Sequence, residues 1–136
     1  RPIRLIGEQG VIVICAGGGG IPTMYGKDGK LLGVQAVIDK DLAAALLAEQ
    51  LEADLLVIAT DVDGVYTGWG TPQQARLGNV TVDQVVEMNL PAGSMGPKVA
   101  AACGFATQTK NEAVIGSLAD IDRIVAGTAG TRVRAG

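Results

Sequence analysis

Two lysines and one carboxylate carry the first chemical signal. Asp39-Lys40-Asp41 follows the apolar Ala36-Val37-Ile38, and Lys98 follows Gly93-Ser94-Met95-Gly96-Pro97. Each lysine stands at the entrance of a predicted helix, where a cation opposes the helix dipole. A bound phosphate would offset that cost, and two converging lysines would neutralise the charge that develops in phosphoryl transfer. Three glycine-rich stretches accompany them: Gly17-Gly18-Gly19-Gly20, Gly64 within Thr60-Asp61-Val62-Asp63-Gly64-Val65-Tyr66, and Gly93-Ser94-Met95-Gly96. Loops without side chains leave backbone N–H groups free to cradle phosphate beside a helix N-terminus. Together these features point to a polyphosphate ligand.

Two common phosphate fingerprints do not fit. A dinucleotide GxGxxG motif starting at Gly17 needs glycine or alanine where Pro22 stands. A P-loop built on Gly26-Lys27 needs glycine at Ile21 and serine or threonine at Asp28. Histidine is absent from the chain, which excludes a Ser-His-Asp triad, a histidine general base and a histidine-ligated zinc from these residues. Phosphoryl transfer to an anionic acceptor needs positioning and charge stabilisation more than a base, so that absence is no obstacle.

The elements that must hold these residues alternate between strands and helices. Arg1 to Gly10 reads as a helix end closed by Gly10. Val11–Ala16 is apolar and β-branched, as a strand buried on both faces would be. Thr23–Val34, with Asp28-Gly29 at its turn, reads as a surface flap. A helix is predicted from Asp39 to Leu51, with Leu42, Leu46, Leu47 and Leu51 as its apolar face. Leu55–Ala59 is a second buried strand, and Thr67–Gln74 a loop. Thr81-Val82-Asp83-Gln84 is a capping box that opens a helix to about Met88. An Ala-rich helix from Lys98, a strand at Glu112–Ile115, a helix at Leu118–Ala126 and a strand at Thr131–Val133 complete the pattern. The expected fold is α/β, a three-layer α/β/α sandwich with a mainly parallel sheet.

Composition bounds the rest. The chain has 136 residues, 48% apolar and 18% charged, enough for one core. Its twenty glycines are about double the ~7% of ordinary domains. Eleven basic and fourteen acidic residues give a net charge of −3. With four aromatics and no basic run, a nucleic-acid partner is not expected. No apolar run reaches the ~18–20 residues of a membrane span, and no signal peptide is visible. Cys15 and Cys103 read as buried free thiols in a reducing cytoplasm.

The order and spacing of four segments resemble the carbamate kinases of the amino-acid kinase superfamily. They are Gly17-Gly18-Gly19-Gly20-Ile21-Pro22, Ala36-Val37-Ile38-Asp39-Lys40-Asp41-Leu42-Ala43, Thr60–Tyr66, and Ala92-Gly93-Ser94-Met95-Gly96-Pro97-Lys98. The resemblance covers the C-terminal, nucleotide-side part of such enzymes. It implies that residues 1–136 form a nucleotide-binding C-terminal lobe, the N-terminal lobe being absent from this chain. The implied reaction is ATP + carbamate = ADP + carbamoyl phosphate, often run toward ATP in arginine catabolism.

In this resemblance Lys40 and Lys98 contact the transferring phosphoryl group and Asp41 orients them. Gly17, Gly18, Gly19 and Gly20 line the carbamate and phosphate site. Thr60, Asp61, Asp63, Gly64, Tyr66, Gly93, Ser94 and Met95 border the nucleotide. Mg²⁺ accompanies ATP or ADP and is bridged by phosphates rather than held by a protein metal site. The partners implied are small molecules, with self-association through a bare face of the truncated lobe as a further expectation. Two alternatives accompany this reading: a catalytically inactive, truncated nucleotide-binding module, and another amino-acid kinase with a carboxylate acceptor.

Overall fold

The computed structural model describes residues 2–90 and 93–136. A short helix α1 (Pro2–Gly7) ends in a turn closed by Gly10, as its sequence indicates. Strands β1 (Thr23–Tyr25) and β2 (Leu31–Gly33) form the expected exposed hairpin across Asp28-Gly29. Helix α2 (Lys40–Gln50) follows, capped by Asp39, whose carboxylate accepts from the N–H groups of Asp41 (2.8 Å) and Leu42 (3.0 Å). Then come β3 (Leu55–Thr60), a small hairpin of β4 (Tyr66–Thr67) and β5 (Ala75–Arg76), and β6 (Asn79–Thr81). Helix α3 (Val82–Met88) carries both hydrogen bonds of the Thr81/Gln84 capping box. Helix α4 (Gly96–Thr109), β7 (Glu112–Ser117), a 3₁₀ turn (Leu118–Asp120), α5 (Ile121–Val125) and β8 (Thr131–Arg134) close the chain.

The main sheet has the order β3-β7-β8-β6. Its β3–β7 and β6–β8 pairs are parallel, and β7–β8 is antiparallel. Side chains alternate across β7. Ala113 and Ile115 join the core under α2 and α4, while Gly116 on the opposite face meets Ile124 of α5. Helices on both faces make the three-layer α/β/α sandwich.

Three expectations are corrected. Val11–Ala16 forms no strand. Ile12 and Ile14 are 92% and 99% exposed. A β-branched run becomes a strand only when another strand satisfies its N–H and C=O groups. None of the described strands pairs with it, and β3 ends the sheet with an open edge. Cys15, expected to be buried in that strand, is therefore exposed, while Cys103 is half-buried on α4. The leucine face of α2 is also not its core face: Leu42 and Leu46 are exposed. The buried stripe is Asp41, Ala45 and Ala48, spaced i, i+4, i+7. It meets Ala101, Ala102 and Phe105 of α4, so the two helices approach through alanines.

Because α2 and α4 touch through small side chains, enlarging one should cost more than trimming an outward leucine. Ala101→Leu, at a position 1% exposed, should lose about 1–3 kcal/mol. Leu46→Ala should stay within about 0.5 kcal/mol of the parent. Urea midpoints of the two variants check this, and equal losses would refute the alanine contact.

Candidate active site

Helices α2 and α4 each lead directly into a strand of the parallel pair, β3 and β7. Both therefore begin at the carboxyl ends of those strands, the end at which open α/β sheets bind ligands. Asn111 fastens the opposite end, its amide donating to the Ala53 carbonyl at 2.9 Å. At the carboxyl end, Asp41 and Lys98 occupy the first turns of the two helices on the stripes that face each other. Lys98 Nζ donates to Asp41 Oδ2 at 2.8 Å, and Lys40 Nζ to Asp41 Oδ1 at 3.1 Å. One carboxylate thus holds two ammonium groups, one on each oxygen.

The electrostatics follow from burial. The side chains of Asp41 and Lys98 are only 11% and 14% exposed. Burial alone would raise the Asp41 pKa, but hydrogen bonds from Lys98 and Lys40 outweigh it and hold the carboxyl below its usual range. The bond to Asp41 raises the pKa of Lys40, so that ammonium stays protonated. Lys40 remains largely solvent-accessible, leaving N–H donors open to an incoming anion. Asp39 carries the remaining local carboxylate, and it is spent on the N-cap of α2.

A cleft of about 420 Å³ opens beside this network, lined by Ala16, Gly17, Lys40, Asp41, Ala44 and Leu47 among others. The start of the glycine loop reaches it at Ala16 and Gly17, and further along Gly19 lies so near the Ile38 backbone that a Cβ there would collide with the Ile38 carbonyl. Of the four glycines in that loop, the cleft wall includes Gly17 but not Gly18, Gly19 or Gly20.

The other predicted residues belong to the same end of the sheet through their elements. Thr60 ends β3, and its hydroxyl donates to Asp61 Oδ1 at 3.0 Å. Asp63 accepts from the Tyr66 hydroxyl at 2.8 Å and lies 3.8 Å from Arg76 Nε. That bond to Asp63 raises the Tyr66 pKa. Gly64 sits in the same turn, against Thr131. Gly93 and Ser94 are exposed just before α4, and Met95 is its N-cap residue. Ala92, part of the resembling segment, lies outside the described residues. Among the described residues, no three histidine, cysteine, aspartate or glutamate side chains cluster as a metal site.

Sequence reasoning missed Thr131, one of two buried polar side chains among the described residues; the other is Asp41. In the sequence it is only the first residue of the strand expected at Thr131–Val133. A threonine opening a strand whose next buried residue is Val133 was the available signal. Ala44 and Leu47, which line the cleft, were hidden inside a helix read only for its core face.

Two helix N-termini thus lie at the carboxyl end of an α/β sheet, joined by a Lys-Asp-Lys network beside a glycine loop. The model of the amino acid kinase family matches residues 1–117, and the chain belongs to that family. It is 56% identical over 133 residues to the carbamate kinase of Haemophilus influenzae, covering 98% of this chain and 43% of that protein. It is 55% identical to the carbamate kinase of Rhizobium meliloti, covering 96% and 41%. Among solved structures, the carbamate kinase of Giardia lamblia bound to AMP-PNP superposes with a TM-score of 0.91 at 37% identity, covering 99% of this chain and 48% of that one. The chain thus spans less than half the length of the relatives it matches.

Replacing Asp41 by asparagine should leave the enclosed Lys98 ammonium without a counter-charge and cost about 2–4 kcal/mol at neutral pH. The sign of the pH dependence follows from the lowered pKa. The Asp41 contribution is fully present above its ordinary value of 3.8 and is lost as pH falls through its lower folded value. Thermal melts between about pH 2 and pH 5 should therefore show a shallower acid limb in Asp41→Asn than in the parent. Parallel limbs would disprove the network's role.

Proposed function

We propose that this chain is the nucleotide-side lobe of a carbamate kinase-type phosphotransferase, moving a phosphoryl group between ATP and carbamate. The observation that carries this reading is the Asp41 carboxylate holding Lys40 and Lys98 together at two helix N-termini. Its closeness in sequence to carbamate kinases of Haemophilus influenzae and Rhizobium meliloti supports the acceptor class. That a Giardia lamblia relative of the same fold was solved with AMP-PNP supports a nucleotide ligand.

In this reading Lys40 and Lys98 bind the oxygens of the transferring phosphoryl group and neutralise the charge that builds there. Asp41 keeps both ammonium groups charged and aimed, so the site enters the reaction already ordered. The N-termini of α2 and α4 add their positive dipole ends. Gly17–Gly20 offer backbone N–H groups to the acceptor side. Thr60, Asp61, Asp63, Gly64, Tyr66, Gly93, Ser94 and Met95 border the nucleotide. The acceptor is already an anion, so no residue needs to abstract a proton, which agrees with a chain lacking histidine.

Magnesium fits as a phosphate-held ion. The acidic groups near the network are already committed, Asp41 to two lysines and Asp39 to a helix cap. When bound with the nucleotide, Mg²⁺ would supply further charge neutralisation on the phosphates. A second reading, a nucleotide-binding module without turnover, draws on the fact that the chain spans less than half the length of its relatives. It is distinguished by ADP binding in calorimetry with no phosphoryl transfer.

The assay is ATP formation from carbamoyl phosphate and Mg·ADP by the complete protein. Lys98→Ala should lose about 2–4 kcal/mol of transition-state stabilisation, roughly 30- to 1,000-fold in turnover. A folded Lys98→Ala protein with parental turnover would overturn the role. Activity on N-acetylglutamate or glutamate in place of carbamate would instead assign another acceptor.

A further inference from the structure

Between β3 and β6 the chain makes an excursion, the small hairpin of β4 and β5, that leaves the sheet after Thr60 and returns near Leu77. The base of this hairpin is pinned at one point. Leu77 N–H donates to the Val65 carbonyl at 2.8 Å, closing the two legs on each other. The Thr131 hydroxyl then bonds to both: it accepts the Val65 N–H at 2.8 Å and donates to the Leu77 carbonyl at 2.6 Å. A hydroxyl has one proton to give, and here it goes to one leg while a lone pair holds the other. Thr131 is 1% exposed, so water does not compete for either bond.

The surroundings are built around this contact. Gly64 lies so close that a Cβ there would sit 2.8 Å from Thr131 Oγ1 and 3.4 Å from the Arg76 side chain. Arg132 N–H donates to the Gly78 carbonyl at 2.9 Å, and the Arg76 guanidinium reaches the Gly130 carbonyl at 3.4 Å. Thr131 pairs with Ile115, near the carboxyl end of β7, which is the end that carries Lys40, Asp41 and Lys98. A valine would fill the same space and match the apolar β8 partner Val133, but it would strand a buried N–H and a buried carbonyl.

We propose that Thr131 is a positioning residue for the nucleotide. By clamping Val65 and Leu77, its hydroxyl holds the Thr60–Tyr66 turn in one conformation, so that Asp61, Asp63 and Tyr66 meet the nucleotide already ordered. This rests on the reading above that the turn borders the nucleotide. Its consequence is selective: among the described residues the Thr131 hydroxyl bonds to Val65 and Leu77 and not to the Gly17–Gly20 loop, so nucleotide binding depends on it and acceptor binding does not.

The test uses the complete protein and compares Thr131→Val with Thr131→Ser. ADP affinity by calorimetry and the KM for Mg·ADP should each worsen about tenfold in Thr131→Val, while the KM for carbamoyl phosphate stays within about twofold. Thr131→Ser keeps the hydroxyl and should recover most of the ADP affinity. Hydrogen exchange reads the clamp directly, since the Val65 amide should lose protection in the valine variant and keep it in the serine variant. Folded Thr131→Val protein that binds ADP like the parent, or equal losses for both substrates, would overturn the inference. Failure of the parent itself to bind ADP would instead overturn the assignment of the turn to the nucleotide.

Discussion

Two like charges brought together need a third charge to hold them, and here that charge is Asp41. Without it, Lys40 and Lys98 would repel each other at two helix ends whose dipoles already disfavour cations. With it, each ammonium has its own carboxylate oxygen. The arrangement depends on how closely α2 and α4 pack. Asp41 continues the stripe of Ala45 and Ala48, and Lys98 continues that of Ala101, Ala102 and Phe105. Alanine against alanine lets the helices approach until their first turns meet. The chemistry at the helix tips is thus set by the smallest side chains along their length.

The glycine loops obey a related constraint. Their value lies less in flexibility than in what a side chain would displace. At Gly19 a Cβ would occupy the position of the Ile38 carbonyl, just before the Asp39 cap of α2. At Gly64 it would press on Thr131 Oγ1. Both glycines therefore let backbone lie against the elements that bear the site. This accounts for part of the high glycine content better than loop mobility does.

Local signals were readable from the residues because their causes are local. The Thr81/Gln84 box requires only four neighbouring residues and α3 starts where they stand, and α2 starts beside Asp39, where the sequence places its beginning. The lysines and Asp41 were legible as a charge pattern at helix entrances, and the three-layer fold as strands alternating with helices. What escaped depends on partners distant in sequence. Val11–Ala16 has strand composition, yet a strand exists only in a ladder. The short β6 carries a single buried side chain, Val80, too little periodicity to announce itself, and it forms by pairing with β8 some fifty residues later. The leucines of α2 are more apolar than its alanines, but size, not hydropathy, decides which face can approach α4.

The distribution of buried polarity ties these observations together. A core built only for stability has reason to exclude polar side chains, because each buried one must find partners or lose about 1–3 kcal/mol. Among the described residues two are buried, Asp41 and Thr131, and both lie at the carboxyl end of the β3–β7 pair. Neither is left without a partner, and each reaches beyond its own element. Asp41 reaches from α2 to a lysine on α4, and Thr131 reaches from β8 to both legs of the β4–β5 hairpin. At the opposite end, where Asn111 meets Ala53, the tie is a half-buried amide on a loop carbonyl. Among the described residues, polar burial is concentrated at the end of the sheet where the proposed site lies. One buried group orders the lysines and the other orders the turn, so the two sides of the site are fixed by different residues and can fail separately.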